Sequence, residues 1–290
     1  MRAHVWPVAP APSGGLPKTT EVCSSYNVAG GPEEPGVLWC GTAPGGLFRS
    51  EDAGRSWRIV QSLWDRPERR RWFGGGYDYP GIHSVLVDPR DSNVLRLAIS
   101  CGGVWKTQDG GGSWRNVGKG LRQDYVPPEQ AYDLVNQDVH RLAQCQAAPD
   151  HLWVQHHNGV FKSEDGGETF TEITNVDPSV FGFAVVVHPK DPKTVWTVPA
   201  VKDEQRMAVD GKVVVSRTRD GGRSWEVLRK GLPQEHAYDL TYRHGLDISE
   251  EGDLLAFGST TGSLWVSEDQ GESWRTLSEH LPPVQAVRIF

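Results

Sequence analysis

The sequence predicts an all-β fold built from repeated antiparallel sheets, and three observations support this prediction. The 290 residues include 33 Gly, 20 Pro and 12 Trp but only 2 Met, and no long apolar stretch has a helical period. One eight-residue pattern recurs five times along the chain. Short runs of alternating polar and apolar residues flank each copy, which is typical of strands joined by tight turns.

The recurring pattern is S/T-x-D-x-G-x-x-W/F. Its copies start 57, 56, 55 and 49 residues apart and span residues 50–57, 107–114, 163–170, 218–225 and 267–274. The hydroxyl and carboxylate oxygens can accept hydrogen bonds from turn amides, glycine supplies a positive φ, and we expect the terminal aromatic ring to enter the core. Each copy therefore predicts a strand, a turn and a second strand, with structural rather than catalytic aspartates.

Two further strand-like runs precede each copy, such as IHSVLVDP and VLRLAIS before the second. Four strands in each repeat of about fifty residues predict the blades of a β-propeller. Residues 20–290 are expected to form five or six such blades, and residues 1–19 an N-terminal extension. The run PVQAVRIF at residues 283–290 has no box after it. We expect it to close the ring by pairing with the first blade or with AHVWPV of the extension.

Charge and cysteine content exclude several classes of partner. There are 30 Lys and Arg against 37 Asp and Glu, a net charge of −7, so nucleic acid is not an expected partner. No apolar stretch reaches the length of a membrane span and prolines interrupt the N-terminal segment, so a cytoplasmic protein without membrane association is expected. The cysteines form no CxxC pair and are expected to be buried thiols; they are Cys23, Cys40, Cys101 and Cys145.

The repeated motif resembles the Asp-box, or BNR repeat, of sialidases, sortilin-type receptors, xyloglucan-acting glycosidases and a photosystem assembly factor. Linking segments such as GGYDYPGIHS and SCGGVW are similar to those of stand-alone bacterial propellers commonly labelled exo-α-sialidase or glycosyl hydrolase. The resemblance implies a propeller. A true sialidase would also carry an arginine triad, an FRIP-like motif and a Tyr/Glu nucleophile pair. The sequence contains no FRIP-like motif, so a typical sialidase is not expected.

A functional site is expected on the propeller face opposite the boxes, because the extra residues of the chain fall in loops there. These loops are residues 61–81, 118–138, 198–212 and 229–239. Long loops on a rigid scaffold commonly carry binding sites. The run RPERRRW at residues 66–72 is either a clamp for an anionic ligand or a solvated loop.

Histidines recur at matching positions of the predicted inner strands. The aligned residues are Tyr26, His83, His140, Phe183 and His244. Three converging imidazoles with an open position suit a catalytic divalent metal such as zinc, iron or copper. His156 and His157 lie in a neighbouring strand and offer a further ligand or a supporting partner. The predicted metal ligands are His83, His140, His244 and His156; hydrogen bonding at strand ends is the alternative role.

Acidic, basic and aromatic residues of the same loops are candidates for catalysis and substrate binding. The predicted catalytic residues are Asp78, Glu235, Asp239 and Arg243. Further acids considered for the same chemistry are Asp133, Asp138, Asp203 and Glu204. The predicted substrate-binding residues are Tyr77, Tyr125, Arg141, Arg206 and Tyr238. Glycoside hydrolysis needs two carboxylates at a defined separation, which a sequence does not give, and a turn or strand-end role is the alternative for each acid.

The function expected from these features is a glycosidase-like hydrolase acting on a carbohydrate or polar small molecule at the propeller axis, with a divalent metal as a candidate cofactor. Two alternatives remain open. One is a non-enzymatic propeller that docks a protein partner, as in sortilin-like receptors or the photosystem assembly factor, through exposed aromatics such as Trp64, Trp72, Phe73 and Tyr125. The other is a His-ligated metal oxygenase or lyase, by resemblance to carotenoid-cleaving oxygenases, which place histidines around iron on a propeller axis.

Overall fold

The structure of the chain is a computed structural model that describes residues 24–31 and 34–290. It divides into two compact units: the first contains the described residues up to Val117 together with Leu134–Asn136, and the second contains Gly118–Asp133 and Gln137–Phe290. That residues 20–290 form one domain stays a prediction. The predicted extension at residues 1–19 and Cys23 lie outside the described residues.

The first unit contains two four-stranded antiparallel sheets. Its strands are β1 (Ser24–Gly30), β2 (Leu38–Ala43), β3 (Leu47–Ser50), β4 (Arg58–Ile59), β5 (Ile82–Asp88), β6 (Asp91–Ile99), β7 (Gly103–Thr107) and β8 (Arg115–Val117). A single turn of α-helix, α1 (Gln61–Trp64), and a 3₁₀ helix at Pro67–Arg71 follow β4.

The second unit contains three sheets of the same kind. Its strands are β9 (Val139–Gln144), β10 (Leu152–His156), β11 (Gly159–Ser163), β12 (Thr171–Ile173), β13 (Gly182–His188), β14 (Asp191–Pro199), β15 (Val215–Thr218), β16 (Glu226–Leu228), β17 (Leu246–Ile248), β18 (Leu255–Gly258), β19 (Leu264–Ser267) and β20 (Arg275–Ser278). The remaining 3₁₀ helices are Pro128–Gln130, Leu134–Asn136 and Val209–Gly211. In the described residues each sheet follows sequence order, which confirms five four-stranded antiparallel blades.

The box turns form as the residue pattern predicts. In the second box the Thr107 hydroxyl donates to Asp109 Oδ1 at 2.6 Å and accepts the Gly111 N–H at 3.1 Å, while the same carboxylate oxygen accepts the Ser113 N–H at 2.8 Å. Gly111 has a φ of +87°. The terminal rings of three boxes are buried, as expected, but those of the first and fourth are only half-buried. The buried rings are Trp114, Phe170 and Trp274.

The core of each unit is built from the alternating apolar residues of its strands. The largest fully buried side chains are tryptophans: Trp105 in the first unit and Trp153, Trp196 and Trp265 in the second. The prediction of buried thiols is confirmed for the described cysteines, which are Cys40, Cys101 and Cys145. No helix in the described part of the chain is long and apolar enough to cross a membrane.

The C-terminal run at residues 283–290 pairs along the last sheet of the second unit. Ala286 forms a parallel bridge with His244, and the N–H of Val287 donates to the His244 carbonyl at 2.8 Å. The N–H of Val284 donates to the Ser259 carbonyl at 2.9 Å. These bonds join the run to His244 and Ser259, which flank strands of the last sheet. The sequence predicted the first blade or AHVWPV as the partner instead. Pairing with AHVWPV falls outside the described residues.

Candidate functional site

Three side chains of the second unit form a compact polar cluster. The described residues, 24–31 and 34–290, contain one group of three His, Cys, Asp or Glu side chains that could hold a metal ion. It consists of Asp138, His140 and His157, whose ligand atoms all lie within 4.8 Å of one another. Asp138 directly precedes β9 and His140 is its second residue, so both lie on one side of that strand. His157 lies in the tight turn between β10 and β11. We call these residues the Asp138 cluster.

Backbone hydrogen bonds fix the turn that carries His157. The N–H of His157 donates to the carbonyl oxygen of Asp138 at 2.9 Å. The side chain of Asn158 joins the same turn to the 118–138 loop, because its Oδ1 accepts the Asp124 N–H at 3.3 Å and its Nδ2 donates to the Asp124 carboxylate. The cluster is therefore held by paired backbone rather than by a free loop.

The two imidazoles of the cluster face the same carboxylate oxygen. Oδ2 of Asp138 lies 3.7 Å from Nε2 of His140 and 3.4 Å from Nδ1 of His157. Nδ1 of His140 donates to the Gly182 carbonyl, the first residue of β13, at 2.7 Å. This bond fixes the tautomer of neutral His140, so its Nε2 lone pair points toward Asp138.

Electrostatics divide the protonation states within the cluster. Burial alone would raise the pKa of Asp138, but the neighbouring imidazoles of His140 and His157 and the charge of Arg243 hold it well below its usual range. Burial lowers the pKa of His140. The pKa of His157 is raised: burial acts against this, but the hydrogen bond and charge of Asp138 outweigh it. The carboxylate is therefore ionised at neutral pH, beside one neutral and one more basic imidazole.

Aromatic rings surround the two histidines. Phe183 stacks on His140 with the ring centroids 4.3 Å apart and an interplanar angle of 11°. Phe181 lies edge-on to both histidines, 6.0 Å from His140 and 5.9 Å from His157. Tyr125, which is 43% exposed, packs edge-on against His157 at 5.0 Å. Phe183, Phe181 and Tyr125 thus form an aromatic wall beside the histidines, which reaches the surface at Tyr125.

Two cations flank this wall. The guanidinium carbons of Arg206 and Arg243 lie 5.4 Å and 5.6 Å from the centroid of Phe183. Arg206 is exposed and its Nε donates to the Asp203 carboxylate at 2.9 Å. The structure therefore gathers four of the predicted site residues around the cluster: His140, Tyr125, Arg206 and Arg243.

The predicted ligand His156 points elsewhere. Its Nδ1 accepts the N–H of Asn158 at 3.1 Å, so in the neutral ring the proton resides on Nε2 and no lone pair is left for a metal. The ring is fully buried, packs edge-on against Phe161 at 5.4 Å, and has a pKa lowered to about 3 by burial. His157, its neighbour in sequence, occupies the place expected of His156.

The other aligned histidines do not belong to the Asp138 cluster. His83 lies in the first unit, where Nδ1 is 3.2 Å from the Ser84 hydroxyl. His244 lies in the second unit and is buried where the C-terminal run pairs with it. The group of ligand atoms contains neither of them. The predicted three-histidine set needs residues of both units and stays a prediction.

The predicted catalytic carboxylates differ in their surroundings. Asp239 accepts the Ser259 hydroxyl at 2.6 Å and the Thr261 hydroxyl, so it braces a turn of the last blade. Glu235 and Asp78 are exposed. Asp138, which sequence reasoning named only among further acids, is the carboxylate that is buried beside two imidazoles.

The remaining predicted binding residues fall into a buried and an exposed class. Arg141 is buried and its guanidinium donates to the carbonyls of Leu246, at 2.9 Å, and Arg243, which indicates a structural role. Burial lowers its pKa to about 10. Tyr77 and Tyr238 are exposed on the surfaces of their respective units.

Comparison with known proteins places these features in context. No protein-family model matches the chain. The chain is 33% identical, over 82% of its length, to an oligoxyloglucan-reducing end-specific xyloglucanase of Emericella nidulans, and 27% identical, over 83%, to a probable enzyme of the same description from Neosartorya fischeri. It spans only 30% and 28% of the lengths of these two relatives. The chain is therefore a distant homologue of glycoside hydrolases.

Solved structures show the same fold. The structure of an ancestral GH74 enzyme matches this chain with a TM-score of 0.62 and 16% sequence identity. The match covers 89% of this chain and 33% of the length of that enzyme. The structure of YCF48 bound to D1 peptide matches this chain with a TM-score of 0.54 and 14% sequence identity. The match covers 87% of this chain and 66% of the length of YCF48 in that structure. The chain thus has a β-propeller fold related to those of GH74 xyloglucanases and YCF48. Its similarity to sialidase-labelled propellers stays a resemblance of the motif.

Proposed function

We propose that this chain is a glycoside hydrolase that acts on xyloglucan oligosaccharides at the Asp138 cluster. The observation that carries the proposal is the 33% identity to an oligoxyloglucan-reducing end-specific xyloglucanase over 82% of the chain. The surroundings of the cluster support it. Tyr125 and Arg206 are both partly exposed beside the cluster, and an aromatic face next to charged hydrogen-bonding groups suits the CH faces and hydroxyls of a sugar ring.

The cluster also has the chemistry to activate a water molecule. Asp138 is ionised and buried, and the side chain of His157 is 22% exposed, so the imidazole links the carboxylate to the surface. A carboxylate and a histidine in contact can move a proton during bond cleavage. Of the carboxylates predicted to be catalytic, Asp239 is already committed to two hydroxyls. We therefore assign the central role to Asp138.

A substrate panel tests this function. The purified chain is incubated with xyloglucan oligosaccharides, with unbranched cello-oligosaccharides and with sialyllactose, and the products are separated by chromatography. We expect cleavage of the xyloglucan oligosaccharides and none of sialyllactose. Folded protein that cleaves none of these, or that cleaves only sialyllactose, would overturn the proposal. Equal rates on unbranched and branched oligosaccharides would overturn the assignment of xyloglucan as the substrate.

A docking function is the second candidate, favoured by exposed tyrosines and by the structural match to YCF48 bound to D1 peptide. The exposed tyrosines are Tyr77, Tyr79, Tyr125, Tyr132 and Tyr238. Trp72, one of the aromatics predicted for a docking face, is buried at 6% exposure, which corrects that part of the prediction. A folded chain that hydrolyses nothing and loses a protein partner on Tyr132→Ser with Tyr238→Ser would favour docking.

A further inference from the structure

We propose that Asp138, His140 and His157 bind a divalent transition-metal ion. Two imidazoles and one carboxylate in a single compact group are a common ligand set for zinc and for non-haem iron. The set differs from the one that the aligned histidines predict, since it uses one of them, His140, together with a carboxylate and a turn residue. Metal binding here does not depend on which substrate the chain acts on.

The separations within the cluster fit metal coordination better than direct ion pairing. A charge-assisted N–H···O bond is about 2.7–2.9 Å long. The contacts of Asp138 Oδ2 to the two imidazoles are longer, at 3.4 Å and 3.7 Å. Ligand bonds of about 2.0–2.1 Å in a tetrahedral site place neighbouring ligand atoms about 3.3–3.4 Å apart. These two separations are therefore close to those of neighbouring ligand atoms around one ion, and the ligand nitrogens of the two imidazoles lie within 4.8 Å of each other.

The tautomer of His140 prepares it to be a ligand. Its Nδ1–H donates to the Gly182 carbonyl at 2.7 Å, which leaves the Nε2 lone pair facing Asp138. Ligating histidines typically donate their other ring N–H to a carbonyl or carboxylate in this way. The stacked ring of Phe183 fixes the plane of the same imidazole. Both contacts hold Nε2 in place without using it.

The carboxylate of Asp138 supplies an independent indication. Its second oxygen, Oδ1, is buried and has no hydrogen-bond partner among the described residues. Leaving a buried ionised oxygen without a partner is costly, and a bound cation removes that cost. Asp124 and Asp203 add negative charge near His157, whereas Arg243 adds positive charge near Asp138. Nitrogen ligands favour a transition metal over Mg²⁺ or Ca²⁺, which prefer oxygen ligands.

Three protein ligands leave at least one coordination position for water. A divalent ion bound by these three ligands would lower the pKa of a water molecule in that open position toward neutrality. The partly exposed side of His157, next to Tyr125, is where that position would meet solvent.

Metal titration of the intact chain tests the inference. The protein, purified without a His-tag and stripped with a chelator, is titrated with Zn²⁺, with Co²⁺ as an optical probe of coordination, and with Mg²⁺. We expect one equivalent of Zn²⁺ to bind, a higher melting temperature with zinc, and no such effect of Mg²⁺. Visible absorption of bound Co²⁺ should have the intensity of a four- or five-coordinate site.

Variants locate the binding. Asp138→Asn and His157→Gln should each weaken zinc binding by more than about 100-fold, beyond the 10- to 100-fold loss of an outer partner. His280→Gln, at an exposed position outside the cluster, should bind as the parent chain does. If the Asp138→Asn variant fails to fold because Asp138 is buried, the zinc affinity of the His157→Gln variant decides the test, since His157 is only half-buried. Absence of stoichiometric binding, or binding that His157→Gln retains, would overturn the inference. A parent chain that hydrolyses xyloglucan oligosaccharides but binds no stoichiometric zinc would overturn the inference alone and leave the proposed function standing.

Discussion

Nδ1 of His157 lies 3.4 Å from Oδ2 of Asp138, and the backbone N–H of the same histidine donates to the backbone carbonyl of the same aspartate at 2.9 Å. The two residues are therefore in contact through their side chains and are also hydrogen-bonded through their backbones. The turn after β10 is locked to the start of β9, so the geometry of the cluster belongs to the blade. A change in either side chain is therefore expected to alter chemistry more than folding.

Phe183→Ala should destabilise the second unit. The ring is 2% exposed and stacks on His140, so its removal leaves a cavity under the cluster. Truncation of a buried phenylalanine costs about 3–5 kcal/mol. Urea unfolding measures the difference, with Phe290→Ala, which is 90% exposed, as the matched control. Equal stabilities of the two variants would contradict the packing described for Phe183.

Trp114→Ala should destabilise the chain more than Trp57→Ala. Both residues end a box in the first unit, but Trp114 is buried and Trp57 is half-buried. Loss of a buried indole costs about 3–5 kcal/mol, and a half-buried ring loses less. Denaturant midpoints give the comparison. Activity per folded molecule should be unchanged in both; a stable Trp114→Ala variant that has lost its activity would refute the structural role of the box.

Gln270→Gly should stabilise the chain. Gln270 has a φ of +58°, and its carbonyl accepts bonds from Trp196 at 3.0 Å and Arg217 at 2.8 Å that hold it there. Left-handed backbone costs an L-residue about 1–2 kcal/mol, so glycine should gain about 0.5–1 kcal/mol after its own entropic cost. Gly271→Ala is the opposite case, because its φ is +92° and a Cβ would lie 2.8 Å from Leu228. If Gln270→Gly unfolds at lower urea than the parent, the strain argument is wrong.

Stability should fall in acid through the box aspartates. Hydrogen bonds from the side chain of Ser113, the side chain of Thr107 and the backbone of Ser113 lower the pKa of Asp109 to about 2. Because the folded pKa lies below the unfolded value of about 3.9, this stabilisation is complete above that value and disappears as the pH falls toward 2. Urea midpoints measured at several pH values should therefore decline less steeply for Asp109→Asn. Parallel declines in parent and variant would exclude the mechanism.

The box turns were predictable because their contacts are local. Thr107, Asp109, Gly111 and Ser113 bond within a few residues of one another, so the sequence pattern contains the whole interaction. The same locality extends to the strands on either side. Partners of the final run were not predictable in this way, since the bonds of Val287 to His244 depend on how the last sheet ends.

The Asp138 cluster was only partly predictable. The sequence shows that Asp138 and His140 are two residues apart and so lie on the same side of a strand. It does not show whether His156 or His157 lies beside them. The pairing of β10 with β9 shifts register between Gln155 and His156. That irregularity turns His156 against Phe161 and leaves His157 in the turn beside Asp138. The Gly182 carbonyl that fixes the His140 tautomer comes from another blade, which no local pattern indicates.

The central claim is that the Asp138 cluster is the catalytic centre, and the most direct test is the kcat/KM of Asp138→Asn on xyloglucan oligosaccharides. Loss of a group that moves a proton in the reaction typically costs about 100- to 10,000-fold in rate. We predict a loss in that range for folded Asp138→Asn, and parent activity for the exposed control His280→Gln. Folded Asp138→Asn protein with the kcat/KM of the parent chain would contradict the account.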